Sequence, residues 1–134
     1  MSMLSNRRAV LAVLIGLSWA AIASPTLADV KDFEFQLVQS EAKKGDATID
    51  VRLFNKKTGK AAPDAVIIAK RIDMAPDGMA EMATRIDQLP STEPGVYRFK
   101  ANLSMEGRWQ LSLGAKVQGE TATVQGKLVL KATP

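Results

Sequence analysis

The hydrophobic positions of this chain follow one pattern up to residue 28 and another beyond it. From Ala9 to Ala23 almost every residue is apolar, and Arg7 and Arg8 precede the run. A positively charged start followed by an apolar run of this length is typical of a secretory signal segment. Beyond residue 28, apolar and polar residues alternate in short runs, which is the period of half-buried strands. The sequence therefore predicts an export signal followed by an all-β domain.

The export signal is expected to end at Ala28. Ser24 and Pro25 break the apolar run, and the next positions hold small residues of the kind that signal peptidase prefers. The run is shorter than the roughly 20 residues that cross a bilayer. We therefore expect residues 1–28 to be a cleaved signal-peptide helix, with general secretory export to the periplasm or the exterior. Cleavage after Ser24, an uncleaved membrane anchor, and twin-arginine export are the alternatives.

Seven alternating runs predict seven strands in the rest of the chain. They lie at about 33–37, 49–53, 64–73, 81–88, 97–103, 109–113 and 124–130. Residues 41–46 are expected to form a turn, and residues 132–134 a frayed tail. Short strands separated by turn signals, without a helix, predict a seven-stranded antiparallel immunoglobulin-like β-sandwich over residues 29–134. A β-barrel is the alternative architecture. Trp109, at the start of the sixth strand, is expected in the core.

The composition excludes several classes of site. The chain contains no cysteine and no histidine, so disulfides, thiol nucleophiles, Ser-His triads and Cys/His zinc sites are absent. Of 18 basic and 14 acidic residues, the signal contains two basic ones, which leaves a net charge of +2 beyond residue 28. Basic residues never cluster there beyond pairs, so we expect no nucleic-acid partner. Without a base beside any serine or threonine, we also expect no enzymatic activity.

Methionine is the one soft metal ligand left beyond residue 28. Met74, Met79 and Met82 fall within nine residues around a Pro-Asp-Gly turn signal at 76–78, and Met105 follows later. Thioether sulfur is neutral and polarisable, so it suits Cu(I) and not hard cations. The spacing predicts a shallow Cu(I) or Ag(I) site on this methionine loop, residues 74–82, with Met105 as a fourth ligand. The alternative is that these side chains fill gaps at one end of the core.

Several motifs together resemble the YtkA-like (FixH-type) family of exported β-sandwich domains. They are Ile49-Asp50-Val51-Arg52-Leu53, Lys57-Thr58-Gly59-Lys60, Pro63-Asp64-Ala65, the methionine loop, Pro94-Gly95-Val96-Tyr97 and Gly107-Arg108-Trp109-Gln110-Leu111. The resemblance implies a β-sandwich over residues 29–134 and a role beside copper or heavy-metal transport or oxidase-assembly systems. It places Met74, Pro76, Met79 and Met82 in the family's methionine loop. Because the histidine often found there is absent, it implies weak binding of a soft metal.

Together these observations predict a periplasmic or secreted accessory protein without enzymatic activity. We expect a monomer that binds Cu(I) weakly or docks onto an envelope metal-transport or assembly protein. Membrane contact is expected only through the export signal, if it is not cleaved. The alternative function is a metal-free immunoglobulin-like module that binds a protein partner in the cell envelope.

Overall fold

The computed structural model describes residues 30–134, which form two β-sheets packed face to face. A 3₁₀ turn at Val30–Asp32 leads into the strands, and a second 3₁₀ turn at Ala75–Asp77 lies between β4 and β5. The nine strands are β1 Phe33–Leu37, β2 Glu41–Lys43, β3 Gly45–Asn55, β4 Val66–Met74, β5 Met79–Thr84, β6 Ile86–Leu89, β7 Val96–Leu103, β8 Gly107–Lys116 and β9 Thr123–Thr133. The expected signal peptide, residues 1–28, lies outside the described residues.

The two sheets have different sizes and share one core. The first has the strand order β1-β3-β7-β6, and the second has the order β2-β9-β8-β4-β5. All neighbouring strands are antiparallel except β2 and β9, which run parallel. The predicted two-sheet β-sandwich is therefore confirmed. The predicted count of seven strands and the purely antiparallel pairing are wrong, because two further strands lie within residues 30–134.

The first additional strand lies inside a predicted turn. Glu41–Lys43 form β2, an edge strand that pairs with the last residues of β9. Three residues are too few for alternation to show, so the sequence contains no strand signal there. The same pairing orders the C-terminus: Ala132 is 1 % exposed, and the Lys44 amide donates to the Thr133 carbonyl over 2.8 Å. The expected fraying at residues 132 and 133 is therefore wrong.

The second additional strand arises because one predicted strand divides between the two sheets. The run at 81–88 becomes β5, paired with β4, and β6, paired with β7. Between them, at Arg85, the chain crosses from one sheet to the other. β5 pairs with β4 only at Ile72–Met74, so residues 66–71 have a neighbour on the β8 side alone. We call residues 66–71 the open edge.

The inward side chains of both sheets form one hydrophobic core. Phe99 from the first sheet and Trp109 from the second are 0 % and 1 % exposed, which confirms the predicted core tryptophan. Gly126 on β9 lies against the ring of Phe35, and a Cβ at Gly126 would lie 2.7 Å from Phe35 Cδ2. The glycine therefore allows the close approach of β1 and β9.

No helix among residues 30–134 has the length and apolar character to span a membrane.

Candidate functional site

The methionine loop connects β4 to β5 by a tight turn. β4 ends at Met74, the 3₁₀ turn Ala75–Asp77 follows, and β5 begins at Met79. Gly78 has φ +75°, in the left-handed region that glycine adopts without strain, and its amide donates to the Ala75 carbonyl over 2.9 Å. The Pro-Asp-Gly signal therefore correctly predicts the turn on which the candidate site depends.

An aspartate–arginine pair attaches this loop to β8. Asp77 accepts hydrogen bonds from the Arg108 backbone amide and from Arg108 Nε, each over 2.8 Å. The guanidinium also donates to the Pro76 carbonyl over 2.7 Å. The backbone hydrogen bond from Arg108, followed by its side-chain hydrogen bond, lowers the pKa of Asp77. From the sequence Asp77 is only a turn residue, whereas in the structure it also joins the loop to the neighbouring strand.

A second aspartate–arginine pair supports the other side of the loop. Asp73 is 5 % exposed, and no other charged side chain is buried in the part of the chain that the structure describes. Its Oδ2 accepts from Arg71 Nε over 2.8 Å, and its Oδ1 accepts from the Ala75 amide over 2.9 Å. Arg71 also donates to the Ala80 carbonyl over 3.0 Å, across to β5. Asp73 and Asp77 are thus both engaged by arginines, which reduces the attraction of these two carboxylates for hard cations.

The four candidate ligands divide into buried and accessible side chains. Met74 is 0 % exposed and lies in the core, directly opposite Met79 in the pairing of β4 with β5. Met79 is partly buried and packs against the same core. Met82 and Met105 are 37 % and 38 % exposed. Metal ligation by these four residues stays a prediction, and burial makes Met74 the least accessible of them.

The tertiary structure brings Met105 to the end of the sandwich where the loop lies. Met105 precedes β8 in the turn from β7, and its carbonyl accepts a hydrogen bond from Trp109 Nε1 over 3.0 Å. Two residues further on, a Cβ at Gly107 would lie 2.7 Å from Met74 Cε. The methionine loop therefore packs on the β7–β8 turn. Within residues 30–134 no group of three or more histidine, cysteine, aspartate or glutamate side chains is arranged to hold a metal.

The structural role of the Tyr97 hydroxyl was not predicted from the sequence. Its hydroxyl donates to the Ala62 carbonyl and accepts from the Ala65 amide over 2.9 Å. The side chain thereby fixes the segment that enters β4. Burial raises the pKa of Tyr97, and the negative charge of Asp64 raises it further, against the opposing effect of the Ala65 amide. The one available signal was an aromatic residue at a core-facing strand position soon after a Pro-Gly turn.

Comparisons with known proteins report both a family and a fold. The profile of the YtkA-like family matches residues 27–114, which include the methionine loop and the β7–β8 turn. A comparison with curated proteins finds no significant match.

Three solved structures are similar to this chain at low sequence identity. A DUF4426 family protein from Pseudomonas aeruginosa PAO1 has a TM-score of 0.51 at 11 % identity, covering 82 % of this chain and 98 % of that one. The Lin-41 filamin domain has a TM-score of 0.46 at 18 % identity, covering 78 % and 95 %. The ZirS C-terminal domain has a TM-score of 0.46 at 13 % identity, covering 92 % and 88 %.

The DUF4426 protein supports the fold alone, since its identity is too low to carry function. The family profile, in contrast, covers well over half of the chain and contains the motifs that first suggested the resemblance. This chain belongs to the YtkA-like family.

Proposed function

We propose that this chain is an exported accessory domain without enzymatic activity that binds Cu(I) weakly at the methionine-loop end of the sandwich. The observation that supports the proposal is the packing of the methionine loop on the β7–β8 turn. Gly107, two residues after Met105, lies against Met74, so the turn that contains Met105 is at the same end of the domain as the methionine loop. Clustering in sequence alone would not bring this turn to the loop.

The proposed ligands are Met79, Met82 and Met105, with Met74 supporting them from the core. Met82 and Met105 are each more than a third exposed, and Met79 is partly buried at the base of the loop. Thioethers are neutral and soft, so they favour Cu(I) and Ag(I) over Ca²⁺ or Mg²⁺. A partly exposed site without thiolate or imidazole ligands suits transfer of the ion to another protein rather than storage. The expected recipient is an envelope metal-transport or oxidase-assembly protein.

The proposal can be tested by anaerobic competition for Cu(I) against a chromogenic chelator, using the protein purified after export. We expect the protein to withdraw Cu(I) and the triple variant Met79→Leu/Met82→Leu/Met105→Leu to lose this ability. Leucine keeps the hydrophobic volume, so the thermal midpoint should change little. Met74→Leu is the matched control, because it removes a buried sulfur and should leave Cu(I) withdrawal intact. Equal withdrawal by the parent protein and the triple variant, or none by the parent, contradicts the proposal.

A metal-free interaction module of the cell envelope is the second candidate function. The observation that favours it is the open edge, where six residues of β4 have a strand neighbour on one side only. Unpaired strand edges are a common place for another chain to bind.

A further inference from the structure

The open edge exists because the chain changes sheets at Arg85. β4 pairs with β8 from Val66 to Asp73, but β5 covers its other side only at Ile72–Met74. Beyond Thr84 the chain joins the first sheet as β6, so it cannot also cover the first part of β4. Within residues 30–134, no other strand pairs with this side of residues 66–71. The backbone there is free to pair with a further strand.

The open edge also carries the most exposed large hydrophobic side chains of the region that the structure describes. Val66 is 61 % exposed and Ile68 is 52 % exposed, and they lie two residues apart. Ile68 Cγ1 lies 3.9 Å from the position of a Cβ on Gly114 of β8, which places Ile68 over the outer face of the second sheet. Unpaired backbone and exposed apolar side chains therefore coincide on one short segment, as expected for a surface that binds another chain.

Positive charge lies on both faces of this segment. Arg71 is opposite Ser112 in the register with β8, which places it on the outer face of the second sheet, and it is paired with Asp73. Lys70 is opposite the buried Leu113, so it lies on the other face. Lys70 is exposed and forms no ion pair with the residues that the structure describes. The open edge therefore carries one unpaired cation, Lys70, that an acidic partner would neutralise.

We propose that the open edge binds an extended acidic segment of a partner protein, which adds to the second sheet as a strand beside β4. Main-chain hydrogen bonds would supply affinity, Val66 and Ile68 would contact apolar residues of the segment on the outer face, and Lys70 would select for carboxylates on the other face. The proposal concerns a surface that does not include the methionine loop, and it does not depend on Cu(I) binding.

A second copy of this chain fits the same edge less well. Two antiparallel copies of residues 66–71 would bring Lys70 and Arg71 of each copy to one small interface, where like charges repel. The register shift between Ile67 and Ala69 also interrupts a long, flat ladder between two identical edges. Bulges and lysines on edge strands commonly prevent self-association, and here they leave an acidic segment as the complementary partner.

Two synthetic peptides test the proposal against the protein purified after export. The probe is a peptide of about ten residues with alternating valine and glutamate, the usual size of a strand. The matched control peptide has lysine in place of glutamate. Binding is followed by fluorescence anisotropy, and the site by hydrogen exchange at the amides of residues 66–71. We expect the glutamate peptide to slow exchange at these amides and to bind at least about tenfold more tightly than the lysine peptide.

Charge-reversed variants provide the second arm. Lys70→Glu should weaken binding of the glutamate peptide by about tenfold or more, and it should improve binding of the lysine peptide. Lys43→Glu makes the same change in net charge on β2, at the opposite edge of the second sheet, and it should alter binding by less than about twofold. Both lysines are exposed, so folding should persist, and thermal unfolding checks this.

Four outcomes would overturn the proposal. The first is that about 1 mM glutamate peptide does not slow exchange at residues 66–71, and the second is that it slows exchange at β2 or β6 instead. The third is that the two charge-reversed variants change peptide binding equally. The fourth is that self-association protects the open edge from exchange without any peptide. The variant Met79→Leu/Met82→Leu/Met105→Leu should bind the glutamate peptide like the parent protein. Loss of Cu(I) binding and loss of peptide binding are therefore separate results.

Discussion

The contact between the β7–β8 turn and the methionine loop can be tested by adding one methyl group. Gly107 has φ +136°, and a Cβ there would lie 2.7 Å from Met74 Cε and 2.6 Å from Asp77 Oδ2. Both distances are shorter than any normal carbon contact, so Gly107→Ala must displace the buried side chain of Met74, the side chain of Asp77 or the turn itself. It would also disturb the hydrogen bonds by which Asp77 binds Arg108.

The expected cost of Gly107→Ala has two parts. A left-handed conformation costs a residue with a Cβ about 1–2 kcal/mol. Forcing an extra carbon into a packed contact costs about 1–3 kcal/mol more. Gly119→Ala is the matched control, because Gly119 has φ +89° and a Cβ there would meet nothing within 4 Å. Gly119→Ala should therefore show the conformational cost alone.

The assay is urea unfolding followed by the fluorescence of Trp109, the single tryptophan beyond residue 28. Trp109 is 1 % exposed, so its emission should change on unfolding. We expect Gly107→Ala to lose about 1–3 kcal/mol more than Gly119→Ala. In a thermal scan this difference corresponds to roughly 4–8 °C for each kcal/mol. Equal losses in the two variants would refute the packing of the loop on the turn, and with it the support for the copper proposal.

Three further outcomes concern Tyr97 and the export signal. Tyr97→Phe leaves the Ala62 carbonyl and the Ala65 amide without their partner, and we expect a loss of about 1–3 kcal/mol in urea unfolding; an unchanged midpoint would contradict this. Because burial raises the pKa of Tyr97, the folded state holds this proton more tightly than the unfolded state, so stability should fall as the pH rises above about 10. Tyr97→Phe should weaken that decline, and a decline of equal steepness argues against the assignment. Mass spectrometry of the exported protein should give an N-terminus at Asp29; an intact Met1 or a start at Pro25 contradicts the predicted cleavage.

Part of the candidate site was predictable from local sequence. A Pro-Asp-Gly run predicts a turn because proline fixes φ near the value that a turn needs and glycine can adopt a positive φ. The structure has a turn there. The spacing of Met74, Met79 and Met82 likewise puts all three on or beside that turn. The burial of Met74 agrees with the alternative that these side chains fill gaps in the core. Which of the methionines is buried, and that the turn containing Met105 meets the loop, were not predictable, because both depend on contact between distant segments.

The alternation of apolar and polar residues by itself determined that residues 30–134 form an all-β domain. Strands such as 33–37 and 97–103 were predicted correctly because a strand's period appears within five to eight residues. The same alternation shows that each strand has a buried face, and it correctly predicted a core tryptophan at Trp109.

Only the tertiary structure decided which sheet each strand joins. Both sheets present an apolar face to one core, so the run at 81–88 carries the same alternation whether it stays in one sheet or crosses between two. It crosses at Arg85, and this crossing leaves residues 66–71 without a strand on the side away from β8. The parallel β2–β9 pair and the Asp77–Arg108 contact have the same origin, since each joins residues far apart in the chain. Local periodicity predicts most of the strands, and long-range packing determines which sheet edges stay open.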